Sequence, residues 1–300
     1  MHSSDKRLLL VGDNPFHGIS HLSQERARSR GGEIHLADYA AKLVLTSLEN
    51  GADGFMFSVS DMTLQILKTV SEQTKENPPQ LYAIVPYAYE YVRIATHLGT
   101  VGLAKKLGWQ IIRSRSPTAI FAGLKSLLTI NPEDLMKTYL YYELSRIKSS
   151  AGKQQKLKSI MLHEIITDII LALDLDQLTH FYISFLLKHG IEPGFETRNF
   201  SHLVYKFKKW DVDFSKITIT SSFNKVGFQM NPSRKECELA LTQIPECNNI
   251  AMSILAAGYL TPAEAAEYLT SLPNIKGAVV GISKQKHAVE TFKTLKQKLQ

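Results

Sequence analysis

The feature that most constrains the fold of this 300-residue chain is the alternation of short apolar runs with longer helical patterns. Eight runs have the length and composition of buried strands, and a helical pattern follows each of them. The predicted strands are RLLLVGD (7–13), GFMFSVS (54–60), LYAIVPY (81–87), LKSIMLHE (157–164), IEPGFET (191–197), KITITSSF (216–223), NIAMSILAAG (249–258) and KGAVVGIS (276–283). Strands that alternate with helices pair in parallel, because each helix returns the chain to the start of the next strand.

Eight such units predict an α/β fold, a (β/α)8 TIM barrel that forms a single domain over residues 1–300. The alternation breaks within 109–157, where helical segments predict a helical insertion between strands 3 and 4. One of these segments begins with Asn131 and Pro132, a favourable pair at a helix start. The alternative is a doubly wound sheet, whose first turn favours Gly-x-Gly-x-x-Gly. The turn here is GDNPFHG (12–18), which lacks that pattern.

Composition and charge limit the classes of binding partner and the cellular environment that the chain suits. The chain is 44% hydrophobic and 21% charged, within the range of globular proteins, and its net charge is +7. The lysine-rich stretches 153–158 and 293–299 have no interleaved aromatic residues, which favours solvated helix faces over a nucleic-acid site. No apolar stretch approaches the ~20 residues of a membrane span. Cys237 and Cys247 have neither zinc nor disulfide-framework spacing, which indicates reduced thiols and a cytoplasmic location.

Catalytic groups of a TIM barrel lie at the C-terminal ends of its strands. His163 ends the fourth predicted strand, where a histidine transfers protons near neutral pH or binds a metal. Glu196 ends the fifth, and enclosure in a pocket raises a carboxyl pKa enough for acid–base catalysis. The alternatives are a hydrogen-bonded histidine at the rim and a Glu196 that pairs with Arg198 or caps a helix. We predict His163 and Glu196 as a proton-transfer pair.

The stretch GDNPFHG follows the first strand. Turn formation explains its Asn-Pro pair and its glycines, because the residue before proline is restricted to extended conformations. It does not explain Asp13 or His17, which we predict as catalytic residues on the opposite wall, with Asn14 binding substrate. Asp13, His17, His163 and Glu196 are also suitable zinc ligands, but no His-x-His or His-Glu-x-x-His pattern supports a metal, so metal content stays open.

The ends of strands 7 and 8 predict an anion site. Gly258 and Gly281 each precede a helix, and glycine lets backbone N–H groups approach an anion near a helix N-terminus. Ser283 and Lys284 follow, in the region where TIM barrels often bind phosphate. Lys225 and Lys284 are also the candidates for a Schiff-base lysine, although solvated or phosphate-facing roles suit both better. The remaining predicted substrate-binding residues are Asn199, Ser222 and Asn224. Asn199 is equally a candidate helix cap.

These strand ends resemble aldolase-type TIM barrels in general, and three segments resemble the aldo-keto reductases. SILAAGYLT (253–261) is similar to that family's seventh-strand pattern, and VVGISKQKH (279–287) to its eighth-strand cofactor-phosphate segment. IMLHE (160–164) is similar to the strand end that carries its catalytic histidine, here His163. The resemblance implies a nicotinamide cofactor. The family also uses an aspartate, a tyrosine and a lysine. No lysine ends the third strand here, no tyrosine follows GFMFSVSD, and Asp61 matches the aspartate only loosely.

Three functions stay open. The first is a cytoplasmic enzyme that acts on a small anionic or phosphorylated substrate by acid–base chemistry, with lyase, isomerase and hydrolase reactions unresolved. The second is an aldo-keto-reductase-like oxidoreductase that uses NAD or NADP. The third is a barrel that binds a ligand or partner without catalysis, through the 109–157 insertion. The sequence leaves the cofactor and the oligomeric state open.

Overall fold

The computed structural model describes residues 6–17, 36–86, 131–152 and 156–300. Within them eight parallel strands close into a barrel in sequence order, with β8 paired to β1. This confirms the predicted TIM barrel. The strands are β1 Leu8–Gly12, β2 Gly54–Ser58, β3 Gln80–Val85, β4 Lys156–Leu162, β5 Glu192–Thr197, β6 Thr218–Ser222, β7 Asn248–Met252 and β8 Ile275–Gly281.

The helices of the described residues surround this barrel. They are α1 Ala37–Glu49, α2 Asp61–Gln73, α3 Pro132–Ala151, α4 Glu164–Ala172, α5 Asp176–Lys188, α6 Phe200–Lys209, α7 Arg234–Thr242, α8 Pro262–Ser271 and α9 Gln285–Leu299. Short 3-10 helices occupy Asn14–His17, Phe214–Lys216 and Ala256–Gly258. None of the helices in these ranges is both long enough and apolar enough to cross a membrane. Cys237 and Cys247 are buried free thiols.

Side-chain alternation along the strands divides the core into two parts. One set of alternating side chains points into the barrel. It forms a buried cluster of Leu10, Met56, Tyr82, Ile84, Met161, Ile250 and Val279. The other set packs against the helices in a larger apolar layer that includes Phe55, Phe57 and Phe195. Because successive side chains point to opposite faces of a strand, Glu196 shares the inward parity of Gly194. The last residues of inward parity therefore face the C-terminal mouth.

Local signals set where the helices begin. The side chain of Asn131 accepts a hydrogen bond from the Glu133 N–H, and Pro132 is the first residue of α3, as the sequence predicts. The Thr261 side chain accepts a hydrogen bond from the Glu264 N–H, and the Glu264 side chain accepts one from the Thr261 N–H. This capping box satisfies two backbone donors that otherwise lack partners.

Several of the predicted strands extend past the observed C-terminal ends, the seventh by the most. β7 ends at Met252 rather than at Gly258, because Ser253, Ala256 and Ala257 have φ angles of 54°, 44° and 59°. These left-handed conformations turn the chain into a 3-10 helix and end the strand. β4 ends at Leu162, and α4 begins two residues later. Of the predicted insertion 109–157, residues 131–152 and 156–157 are described, and residues 109–130 lie outside the described ranges.

Candidate active site

A cavity of about 540 Å³ lies at the C-terminal ends of the strands. Its volume is typical of small-molecule sites, which span roughly 300–1,000 Å³. Apolar side chains that include Ile84, Met252, Ile254 and Leu255 cover part of its wall. Its polar side chains are Asp13, Asn14, Ser58, His163, Glu164, Glu196, Arg198, Gln229, Ser253, Ser283, Lys284 and His287. Most of the predicted site residues therefore face one space.

His163 is buried at the cavity wall, 6% exposed, immediately before helix α4. Its Nδ1 accepts a hydrogen bond from the Ile165 N–H at 3.2 Å and so caps the helix. An acceptor Nδ1 requires that the proton of the neutral ring is on Nε2. Burial lowers the pKa of His163, with Arg198 acting in the same direction and Glu164 opposing it. At neutral pH the ring is therefore a neutral imidazole whose Nε2–H is a hydrogen-bond donor.

Glu196 follows Phe195 on β5, and Phe195 pairs in register with Leu162 on β4. The next residues of the two chains, Glu196 and His163, therefore come at neighbouring positions of the mouth. Burial, together with the negative charge of Glu164, raises the pKa of Glu196 from its ordinary value of 4.5 to about 8. Near neutral pH this carboxyl group is protonated and is able to donate a proton.

Glu164 and Arg198 form an ion pair at the same corner. The Arg198 Nε donates to Glu164 Oε2 at 2.6 Å. Because β4 ends at Leu162, the alternation of side chains along the strand stops before it reaches Glu164. The alternative in which Glu196 pairs with Arg198 is not found. Instead Glu196 Oε2 lies 3.4 Å from the backbone N–H of Glu164, a long contact at the start of α4.

Asp13 connects the first two strands. It is 2% exposed, and its Oδ2 accepts hydrogen bonds from the Ser58 N–H at 2.7 Å and from His17 Nε2 at 3.0 Å. His17 does not line the cavity but supports Asp13 from behind. Asn14 does line it. Residues 12–17 thus connect the end of β1 to β2, and of these Gly12, Asp13, Asn14 and Pro15 line the cavity.

The ends of β7 and β8 form another part of the wall. Gly258, Gly281, Ser283 and Lys284 all line the cavity, as the predicted anion site requires, and His287 joins them from the first turn of α9. Lys284 occupies the N-cap position of α9 but makes no side-chain capping bond. Within the described part of the chain it also forms no ion pair. The backbone N–H groups at this helix start therefore lack a side-chain cap, which is the usual setting for anion binding.

Three predicted substrate-binding residues do not line the cavity. The Asn199 side chain donates to Asp168 Oδ2 at 2.9 Å, so it neither caps α6 nor faces the mouth. Ser222 is fully buried. The side-chain amide of Asn224 donates to Phe228 O at 2.8 Å and its oxygen accepts from the Phe228 N–H at 2.7 Å, which stabilises a local loop. Lys225 is exposed outside the cavity.

The cavity wall also contains residues that were not predicted from the sequence, namely Glu164, Arg198, Gln229 and His287. The polar run ETRN (196–199), which spans the end of β5, was the one available signal for Arg198. His287 lies in the VVGISKQKH segment, but its helical position became clear only from the start of α9. In the described ranges no three or more His, Cys, Asp or Glu side chains are grouped so as to hold a metal ion.

Comparison with known proteins gives the fold. No protein-family model and no curated protein matches the chain. Two solved structures, each described as a putative aldo-keto reductase from Pseudomonas aeruginosa, align with TM-scores of 0.56 at 10% and 11% identity, over 97% of this chain and 90% of theirs. A glycerol dehydrogenase from Gluconobacter oxydans aligns with a TM-score of 0.55 at 10% identity, over 98% of this chain and 90% of that one. At these identities the likeness is one of fold, the TIM barrel that aldo-keto reductases share.

Proposed function

We propose that the protein is a nicotinamide-dependent oxidoreductase that acts on the carbonyl group of a small molecule. The observation that carries the proposal is the pairing of two features within one cavity. Protonated Glu196 lies beside neutral His163 at the ends of β4 and β5, and an uncapped, lysine-bearing helix start lies at the end of β8. The fold shared with aldo-keto reductases supports the same reaction class.

The β8 end fits the phosphate groups of a dinucleotide. Ser283, Lys284 and His287 face the cavity at the N-terminus of a 15-residue helix, where the helix dipole and free N–H groups favour anions. A bound nicotinamide dinucleotide supplies the hydride that reduces a carbonyl carbon. The chain departs from the aldo-keto reductase pattern after β2 and β3, since no tyrosine follows GFMFSVSD (54–61) and no lysine ends β3.

In this proposal Glu196 and His163 serve in place of the tyrosine and lysine that the aldo-keto reductase pattern implies. Glu196 donates the proton to the carbonyl oxygen, because burial keeps its carboxyl group protonated at neutral pH. The Nε2–H of His163 donates a hydrogen bond to the same oxygen and polarises the carbonyl. Ile84, Met252 and Leu255 exclude water from this part of the cavity, which strengthens both interactions.

Titration calorimetry with NADPH and NADH tests the cofactor. We expect binding, and we expect Lys284→Ala to weaken it about 10- to 100-fold, the value of one charge-assisted hydrogen bond. Lys225→Ala is the matched control, since Lys225 is exposed and outside the cavity. Absence of binding by the wild-type protein, or equal losses in the two variants, would refute the proposal.

A second candidate is acid–base chemistry without a cofactor, as in an isomerase or lyase. The departure from the tyrosine and lysine pattern favours it, because the Glu196 and His163 pair is complete without a dinucleotide. This candidate predicts that sugar phosphates raise the melting temperature while NADPH and NADH do not.

A further inference from the structure

We propose that Arg198 binds the carboxylate of a 2-oxo acid, which would be the substrate class of this site. The inference rests on the proposed function for the reaction, but the carboxylate site itself is argued from Arg198 and its neighbours alone. Arg198 lines the cavity, and its side chain is 30% exposed.

One edge of the Arg198 guanidinium is hydrogen-bonded to Glu164, and the other edge is available to a ligand. Its Nε donates to Glu164 Oε2 at 2.6 Å, which orients the plane of the group. Its two terminal amino groups make no hydrogen bond within the described ranges. Such a pair of parallel N–H donors matches the two oxygens of a carboxylate, a bidentate geometry that lysine cannot provide.

The backbone on both sides of Arg198 is fixed from outside the barrel. Asp168 accepts hydrogen bonds from the Thr197 hydroxyl at 2.7 Å and from the Asn199 amide at 2.9 Å. The Asn231 N–H donates to the Arg198 carbonyl at 3.2 Å. A binding residue held on both flanks loses little conformational freedom when its ligand arrives, and this favours affinity.

The charges at this corner select a singly charged ligand. Glu164 already balances the charge of Arg198, and protonated Glu196 adds no negative charge. The N-terminus of α4 contributes a partial positive charge. A carboxylate adds one negative charge at this position, whereas a phosphate dianion would add two beside Glu164 and Asp13, so the singly charged ligand is favoured.

The relative positions of Arg198 and Glu196 place the reacting group. Arg198 lies two positions after Glu196, one residue past the end of β5, and both residues line the cavity. When Arg198 binds the carboxylate of a 2-oxo acid, the adjacent keto group of the same molecule lies near Glu196. Reduction then breaks the C=O π bond. The carbon gains the hydride, the oxygen gains the Glu196 proton, and the products are a 2-hydroxy acid and the oxidised dinucleotide.

Titration calorimetry with oxamate, an unreactive analogue of a 2-oxo acid, tests the inference without turnover. We expect the wild-type protein to bind oxamate and not neutral oxamide, with and without NADPH. Arg198→Ala should weaken oxamate binding at least tenfold, and Arg198→Lys should give an intermediate loss, because it keeps the charge but not the paired donors. Arg234→Ala, in an exposed arginine outside the cavity, should bind like wild type.

Three outcomes would overturn the inference: no oxamate binding in either titration, equal binding by Arg198→Ala, or tighter binding of inorganic phosphate in competition with oxamate. Melting temperatures of all variants establish that they fold, and Arg198→Lys keeps the test valid if Arg198→Ala does not. Failure of the proposed function is distinguishable, since NADPH binding would then be lost while oxamate binding remained.

Discussion

Replacement of Glu196 by glutamine should stabilise the protein at neutral and alkaline pH. In the wild-type protein burial raises the pKa of this carboxyl from 4.5 to about 8. Between those values the folded state keeps a proton that the unfolded state releases, so the free energy of unfolding falls as pH rises. Each pH unit contributes about 1.4 kcal/mol per proton, which gives about 5 kcal/mol over the full window. Glu196 is partly open to the cavity, and solvent screening reduces the expected gain to roughly 2–4 kcal/mol.

Urea unfolding of both proteins at half-unit steps from pH 4.5 to 9 measures this difference. The gain in Glu196→Gln should be close to zero at pH 4.5, grow through the window and level off above pH 8. Glu246→Gln, at an exposed position, should follow the wild-type curve throughout. A difference that is constant with pH would mean that glutamine acts through packing or hydrogen bonding, and the assignment of Glu196 as a buried protonated acid would be refuted.

The other predictions concern the same site and its support. The rate of carbonyl reduction should fall tenfold per pH unit above about pH 8, as Glu196 loses its proton, and a rate that is flat to pH 10 would exclude Glu196 as the donor. His163→Ala should lower kcat by about 10²-fold or more with little change in KM, because the lost hydrogen bond acts on the developing charge. An unchanged kcat would remove His163 from the mechanism. Asp168→Asn should destabilise the fold by about 1–2 kcal/mol in urea and weaken oxamate binding, because the amide provides one acceptor in place of two. Gly194→Ala should cost about 1–3 kcal/mol by thermal unfolding, since its Cβ would lie 2.6 Å from Met161 Cγ and 2.8 Å from Ser159 Oγ inside the barrel.

Much of the site was predictable because its members follow strands that the sequence marks clearly. His163, Glu196, Asp13, Asn14, Gly258, Gly281, Ser283 and Lys284 all line one cavity, as a TIM barrel requires of strand ends. Asn199, Ser222 and Asn224 also lie at or just after strand ends, yet they do not line the cavity. Local periodicity places a residue near a strand end, but side-chain partners such as Asp168 decide whether it turns inward or outward.

By itself, the sequence determined the barrel and many of the residues that reach its mouth, because hydrophobic periodicity and helix caps are local properties of the chain. Only the tertiary structure decided which of those residues act together. The register between β4 and β5 brings Glu196 to His163, and the end of β4 at Leu162 turns Glu164 toward Arg198. Those pairings join residues more than 30 positions apart, and the raised pKa of Glu196 depends on the burial and charge that they create.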